Sequence, residues 1–117
     1  MSSSRLPNYL VSHRKRLTLS QDEVAFLLGK HSGAKVCRDE QFARIPSLET
    51  ALAYEAIYQK PIRELFGGLF QTIEGEVADR AKVLRVKIDN QKADRQTARK
   101  RQAIADIITT HSNSLLN

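Results

Sequence analysis

Apolar positions in the first half of the chain recur at helical spacing, in short blocks separated by turn residues. The clearest stripe consists of Val24, Leu27 and Leu28, at positions i, i+3 and i+4. Ser20 and Glu23 stand before it in capping-box register, and Gly29 follows where a left-handed residue commonly ends a helix. The pattern predicts a short helix of about two turns that begins after Ser20.

A second short helix is predicted over residues 33–41, with Ser32 as its cap and Val36 facing inward. Two short helices joined by a tight turn that contains glycine form a helix-turn-helix unit, whose second helix can enter the major groove of DNA. Further helices are predicted at about residues 7–16, 47–58 and 62–66. We therefore expect an all-α fold in which a five-helix domain occupies residues 1–67.

The pattern changes after the Gly67-Gly68 pair, which predicts a boundary between this domain and a helical extension over residues 68–117. One apolar seam then runs along a predicted helix at intervals of three or four residues: Phe70, Ile73, Val77, Ala81, Leu84 and Ile88. Such a helix outreaches a small domain, so the seam predicts a homodimer or a protein partner. Residues 89–101 are expected to form an exposed helix or a frayed linker, and the end of the chain from His111 is expected to be disordered.

Several motifs in register resemble the Xre or lambda-repressor/Cro family of helix-turn-helix transcriptional regulators, over roughly residues 6–66. They are Leu10 with Arg14, Leu19-Ser20-Gln21, Val36 with Glu40, Pro46-Ser47-Leu48-Glu49-Thr50 and Glu64-Leu65-Phe66. The resemblance implies a five-helix lambda-repressor-like domain that binds double-stranded DNA in a sequence-specific manner. One departure concerns Asp39, which occupies a position that is usually apolar in the family.

The resemblance also implies roles for individual residues. The positions expected to face bases are Ser32, Gly33, Ala34, Lys35 and Arg38, and those expected to contact phosphates are Gln21, Lys30, His31 and Arg44. Lys35 and Arg38 carry donors that match the acceptors of guanine, and Ala34 can meet a thymine methyl group. Arg14 and Glu40 are expected to form an ion pair that holds the first helix against the third.

Composition and charge restrict the other function classes. The net charge of +6 permits a polyanionic partner, and the single cysteine, Cys37, excludes a disulfide within one chain and favours a reducing cytoplasm. The three histidines lack the spacing of paired metal ligands, and no nucleophile-and-base arrangement or phosphate-cradling glycine loop is recognisable. We therefore expect no enzyme activity, no metal, no cofactor and no membrane segment.

Three functional interpretations remain open at this level. The first is a DNA-binding transcriptional regulator, most simply a repressor. The second is an antitoxin or anti-regulator that uses the C-terminal helix to bind a partner protein. The third is an interaction module that no longer reads DNA, which the negative charges of Asp39 and Glu40 in the predicted recognition helix favour.

Overall fold

The computed structural model describes residues 6–116, so residues 1–5 of the predicted first domain and Asn117 lie outside it. The described chain contains helices and no strand, which confirms the predicted all-α class. The helices are α1 (Leu10–Arg16), α2 (Gln21–Leu27), α3 (Ala34–Glu40), α4 (Leu48–Tyr58), α5 (Ile62–Leu65), α6 (Gly67–Asp89) and α7 (Arg95–Leu115). They divide into two compact units, the first ending at Phe70 and the second beginning at Gln71.

Side chains at the helix starts explain several of these boundaries. Ser20 and Glu23 form a complete capping box at α2, in which the Ser20 Oγ accepts from the Glu23 amide at 3.0 Å and a Glu23 carboxylate oxygen accepts from the Ser20 amide at 2.8 Å. Ser47 caps α4 in the same way through the amide of Thr50. Both caps coincide with sequence signals that predicted these helices.

The first unit has one hydrophobic core to which α1 to α5 all contribute. Its buried members are Leu10, Val24, Ala25, Val36, Ala51, Tyr54, Tyr58, Leu65 and Phe66. Because every one of these short helices places at least one side chain in the same core, none of them is stable apart from the others. The orientation of α3 is therefore fixed by packing.

The second unit is an antiparallel helical hairpin made by the later part of α6 and by α7. Near the connecting loop, Arg101 Nε lies 3.1 Å from Asp89 Oδ1, and at the far end His111 Nδ1 lies 3.3 Å from Glu74 Oε1. Ala81, Ile88 and Ile104 are buried between the two helices, with Ile107 and Ile108 packed beside them. Asp94 begins α7 by accepting a hydrogen bond from the Thr97 amide at 2.8 Å.

This hairpin shows residues 95–101 as the exposed helix that was one of two expected alternatives, and it corrects two other expectations about the extension. Residues 95–101 belong to a second helix that folds back on α6, and this helix continues to Leu115 where a disordered end was expected. The predicted seam is also divided, because α7 covers Ala81 and Ile88 within the same chain. Its other members stay exposed: Phe70, Ile73, Val77 and Leu84. No helix of the described chain is long and apolar enough to cross a membrane.

Candidate nucleic-acid interface

The helices α2 and α3 are joined by residues 28–33 and packed closely at their first turns. The amide of Gly33 donates to Asp22 Oδ1 at 2.8 Å, and a Cβ at Gly33 would lie 2.9 Å from Gln21 Cβ. Gly33 is thus buried against α2, and its predicted place among the base-facing residues stays a prediction. The close approach that glycine permits here is between two helices of the same chain.

An ion pair clamps α3 to α1, as the resemblance implied. Arg14 Nε lies 2.5 Å from Glu40 Oε2, and Arg14 Nη2 donates to Glu40 Oε1 at 3.2 Å. The hydrogen bond with Glu40 raises the pKa of Arg14, which is also held by the carbonyl oxygen of Leu19 at 3.0 Å. This two-pronged pair fixes the rotation of α3 about its own axis.

Gln21 belongs to the same network. Its Nε2 donates to Glu40 Oε1 at 2.9 Å, so the side chain of the first residue of α2 is directed toward α3. An amide nitrogen has two hydrogens, and one of them remains for a second acceptor. The predicted phosphate contact of Gln21 stays a prediction on this basis.

The carboxylate of Asp39 explains the polar residue at a usually apolar position. Asp39 is 1% exposed, and its Oδ2 accepts from the Tyr54 hydroxyl at 2.7 Å and lies 3.5 Å from Lys35 Nζ. Burial and the bond to Asp39 raise the pKa of Tyr54, which keeps this hydroxyl a donor. A buried carboxylate with two polar partners replaces an apolar contact between α3 and α4.

The same contact changes the interpretation of Lys35. Its side chain is 21% exposed and lies along the helix toward Asp39, four residues later. The ammonium group is therefore engaged within the chain, whereas the resemblance implied a base-facing role.

The outward face of α3 carries Ala34, Arg38 and Gln41, which are all exposed and share one side at spacings of four and three residues. Arg38 forms no salt bridge with any carboxylate of residues 6–116. Gln41 was not among the predicted site residues. Its spacing from Ala34 and Arg38 was the signal that could have identified it.

Exposed polar side chains flank this outward face. Lys30 and His31 precede α3 in the turn, and Arg44 follows it. Ser32 is also exposed, and its Oγ accepts weakly from the Ala34 amide at 3.4 Å, while Gly33 occupies the N-cap position that was predicted for Ser32. Exposed side chains that can donate hydrogen bonds thus precede and follow α3 along the chain.

Other chemistry is sparse in the described chain. Cys37 is a half-buried free thiol, and within residues 6–116 no group of three His, Cys, Asp or Glu side chains could hold a metal ion. No protein-family model matches the chain, and comparisons with curated proteins and with solved structures likewise give no match. Functional inference therefore depends on the geometry of the site itself.

Proposed function

We propose that the protein is a sequence-specific regulator that binds double-stranded DNA with a helix-turn-helix formed by α2 and α3, of the type found in the Xre or lambda-repressor/Cro family. One observation carries the proposal. The inner side of α3 is fixed to the other helices through Val36, Asp39 and Glu40, while its outer side presents Arg38, which forms no salt bridge within residues 6–116. A helix held in this way can be inserted rigidly into a major groove.

The residues of α3 and its surroundings divide between reading bases and contacting phosphates. The exposed guanidinium of Arg38 suits the paired acceptors of guanine, the Gln41 amide suits adenine, and the Ala34 methyl group suits thymine. Lys30, His31 and Arg44 provide donors for the phosphates on either side, and these contacts position the domain without reading sequence. Regulation would then follow from occupancy of an operator, most simply as repression.

The acidic residues of α3 do not argue against DNA binding. Asp39 and the Glu40 side chain are almost fully buried, and each contacts a cationic or hydrogen-bond-donating partner inside the first unit. Their charges are therefore not displayed on the outward face. This disfavours the interpretation of the domain as a module that has lost DNA recognition.

Selection from a random duplex library with the purified full chain tests this function. We expect a defined sequence motif to be enriched, and binding to the selected duplex to weaken steeply with salt as counterions are released. A selection that enriches no sequence motif would contradict sequence-specific recognition. Equal affinity for selected and random duplexes at moderate salt would contradict it as well.

We further propose that a second copy of the chain covers the exposed apolar stripe of the hairpin, defined as Ile73, Val77 and Leu84. A two-helix hairpin with so small a core gains little stability alone, and two hairpins together form a four-helix bundle. Charges along α6 suit antiparallel pairing, because Glu76 and Asp79 precede the basic residues Arg80 and Arg85. An antitoxin-like protein partner on the same stripe is the alternative, and it predicts a stoichiometric companion when the chain is purified from its native source.

A further inference from the structure

The end of the hairpin carries a concentration of positive charge that the proposed recognition helix does not use. We define the tip as residues 82–101, which comprise the last two turns of α6, the connecting loop and the first two turns of α7. The tip contains eight Lys or Arg residues and two Asp residues, so its formal charge of +6 equals that of the whole chain. The rest of the protein is neutral in sum.

The acidic residues of the tip are already engaged. Asp89 pairs with Arg101 at 3.1 Å, and Asp94 accepts from the amide of Thr97 as the cap of α7. The other seven basic residues form no salt bridge with a carboxylate in the described part of the chain. They are all exposed: Lys82, Arg85, Lys87, Lys92, Arg95, Arg99 and Lys100.

Interaction with the helix dipoles explains only some of the basic residues of the tip. Lys87 lies in the last turn of α6, where a cation interacts favourably with the helix dipole. Arg95, in contrast, is the first residue of α7, at the positive end of that helix beside the Asp94 cap. A cation at that end gains nothing from the helix dipole, so the dipole does not account for Arg95.

The chemistry of the tip selects among polyanionic partners. Residues 82–101 contain no aromatic side chain, so the tip lacks both the stacking platforms that bind single-stranded nucleic acid and the aromatic anchors typical of membrane-surface helices. Lysine and arginine side chains without interleaved aromatics suit the regular phosphates of a duplex.

We infer that the tip of the hairpin is a second, sequence-independent binding surface for the phosphate backbone of double-stranded nucleic acid. This surface adds to the proposed function but does not rest on it, because it requires no base reading by α3. It would raise affinity for all duplexes equally and would leave the ratio of affinities for selected and random duplexes unchanged.

The test uses the full chain with Arg95, Arg99 and Lys100 all changed to Gln. These residues belong to α7 and not to the α6 stripe, and none of them forms a salt bridge within residues 6–116. The control carries the same loss of three charges elsewhere. Its substitutions are Lys15→Gln, Lys60→Gln and Arg63→Gln, none of which lies on α6 or α7.

The measurement is the dissociation constant for a random-sequence duplex across a salt series, with thermal melting to show that both variants fold. We expect the tip variant to bind at least about tenfold more weakly than the control at low salt, with a log-log salt slope smaller by up to about 2.7. Equal affinities and slopes for the two variants would overturn the inference. If the tip variant melts early, the single changes Arg99→Gln and Lys92→Gln must each reduce the slope by about 0.9, or the inference fails.

Two further readouts separate the alternatives. If the tip variant lost binding to vesicles that contain phosphatidylserine but bound duplexes as well as the control variant, the inference would be overturned in favour of a membrane surface. Duplex DNA and duplex RNA are compared to identify the source of the phosphates. Arg38→Ala should weaken the preference for a selected motif while leaving random-duplex affinity intact, so failure of base reading and failure of the tip give different results.

Discussion

At the residue scale, two tyrosines of α4 occupy contrasting polar environments in one core. Tyr54 and Tyr58 are stacked with ring centroids 5.8 Å apart, and both are buried. The Tyr54 hydroxyl donates to Asp39, whereas the Tyr58 hydroxyl is the one buried side-chain polar atom in the described chain without a hydrogen-bond partner. Burial raises the pKa of Tyr58 to about 12, so this hydroxyl remains protonated at neutral pH.

The two tyrosines give a matched pair of substitutions. Tyr54→Phe should lower the free energy of unfolding by about 1.5–3 kcal/mol, because it removes a hydrogen bond to a buried carboxylate. Tyr58→Phe should be neutral or slightly stabilising, because it removes an unsatisfied hydroxyl. Chemical denaturation of both variants measures the difference, and a larger loss for Tyr58→Phe would contradict the hydrogen-bond assignment.

His13 predicts a pH dependence of stability in the first unit. Its ring is buried on α1, its Nδ1 lies 2.8 Å from Arg16 Nη2, and its Nε2 lies 3.5 Å from Glu64 Oε2. Burial lowers the pKa of His13, Arg16 and Lys60 lower it further, and Glu64 opposes them. The folded state therefore binds a proton less readily than the unfolded state.

The sign of the effect follows from this lowered pKa. The contribution of neutral His13 is fully present above the ordinary pKa of about 6.5 and is lost as pH falls through the lower pKa of the folded state. His13→Gln should flatten the decline of stability over that range. Denaturation curves at a series of pH values provide the test, and identical slopes for wild type and His13→Gln would refute it.

At the element scale, four helices of the first unit end on a residue with left-handed backbone geometry. These residues are Thr18, Gly29, Phe42 and Gln59. After α3, the amide of Ala43 donates to the carbonyl of Arg38 at 3.1 Å, which is the hydrogen bond of a Schellman motif, and Phe42 also packs on the core. Three of the four ends therefore use a residue other than glycine.

Thr18 is the costliest of these ends, because a β-branched residue is strained at its φ of 58° and its side chain is exposed. Thr18→Gly should raise the free energy of unfolding by about 0.5–1 kcal/mol, after the entropy of glycine in the unfolded chain is subtracted. Thr18→Ala is the control, since it keeps a Cβ in the left-handed region. Stabilisation by alanine as large as that by glycine would argue against backbone strain.

The elements of the first unit were largely predictable, because local signals set them. Capping by Ser20 and Ser47 and the apolar stripes gave α2 and α4, and the spacing of Arg14 and Glu40 matched a family pair. The partner of Asp39 was not predictable, because Tyr54 is distant in sequence and its hydroxyl could have served many acceptors. The burial of Gly33 likewise depends on how α2 and α3 pack.

The hairpin shows why the extension was predicted less well. Ile104, Ile107 and Ile108 form an apolar stripe at helical spacing, but nothing in that stripe specifies that it packs on Ala81 and Ile88. Asp94 with Thr97 was an available signal for a new helix start. Long-range pairing of two amphipathic helices depends on packing that sequence periodicity alone does not determine.

At the scale of the whole molecule, the two units suggest two distinct tasks. The first unit carries the proposed recognition helix, and the second carries the apolar stripe of Ile73, Val77 and Leu84 together with the basic tip. A dimer through the stripe would provide two recognition helices, so the selected motif should be palindromic.

Leu84→Asp tests the stripe, because it removes an apolar contact and places an unpaired charge in the proposed dimer interface. Val83→Asp is the matched control, since Val83 is 60% exposed and lies off the stripe. Sedimentation equilibrium should show a dimeric wild type, a dimeric Val83→Asp variant and a monomeric Leu84→Asp variant at micromolar concentration. A monomeric wild type, or a dimeric Leu84→Asp variant, would refute this role for the stripe.

The most direct test of base reading by α3 is the ratio of dissociation constants for random and selected duplexes at one fixed salt concentration. Arg38 is exposed and forms no salt bridge in the described part of the chain, whereas Lys35 is held by Asp39. Arg38→Ala should reduce the ratio by an amount equivalent to about 1–3 kcal/mol, and Lys35→Ala should reduce it less. A ratio that is unchanged in Arg38→Ala, or that falls only in Lys35→Ala, would contradict the proposal that the outward face of α3 reads DNA.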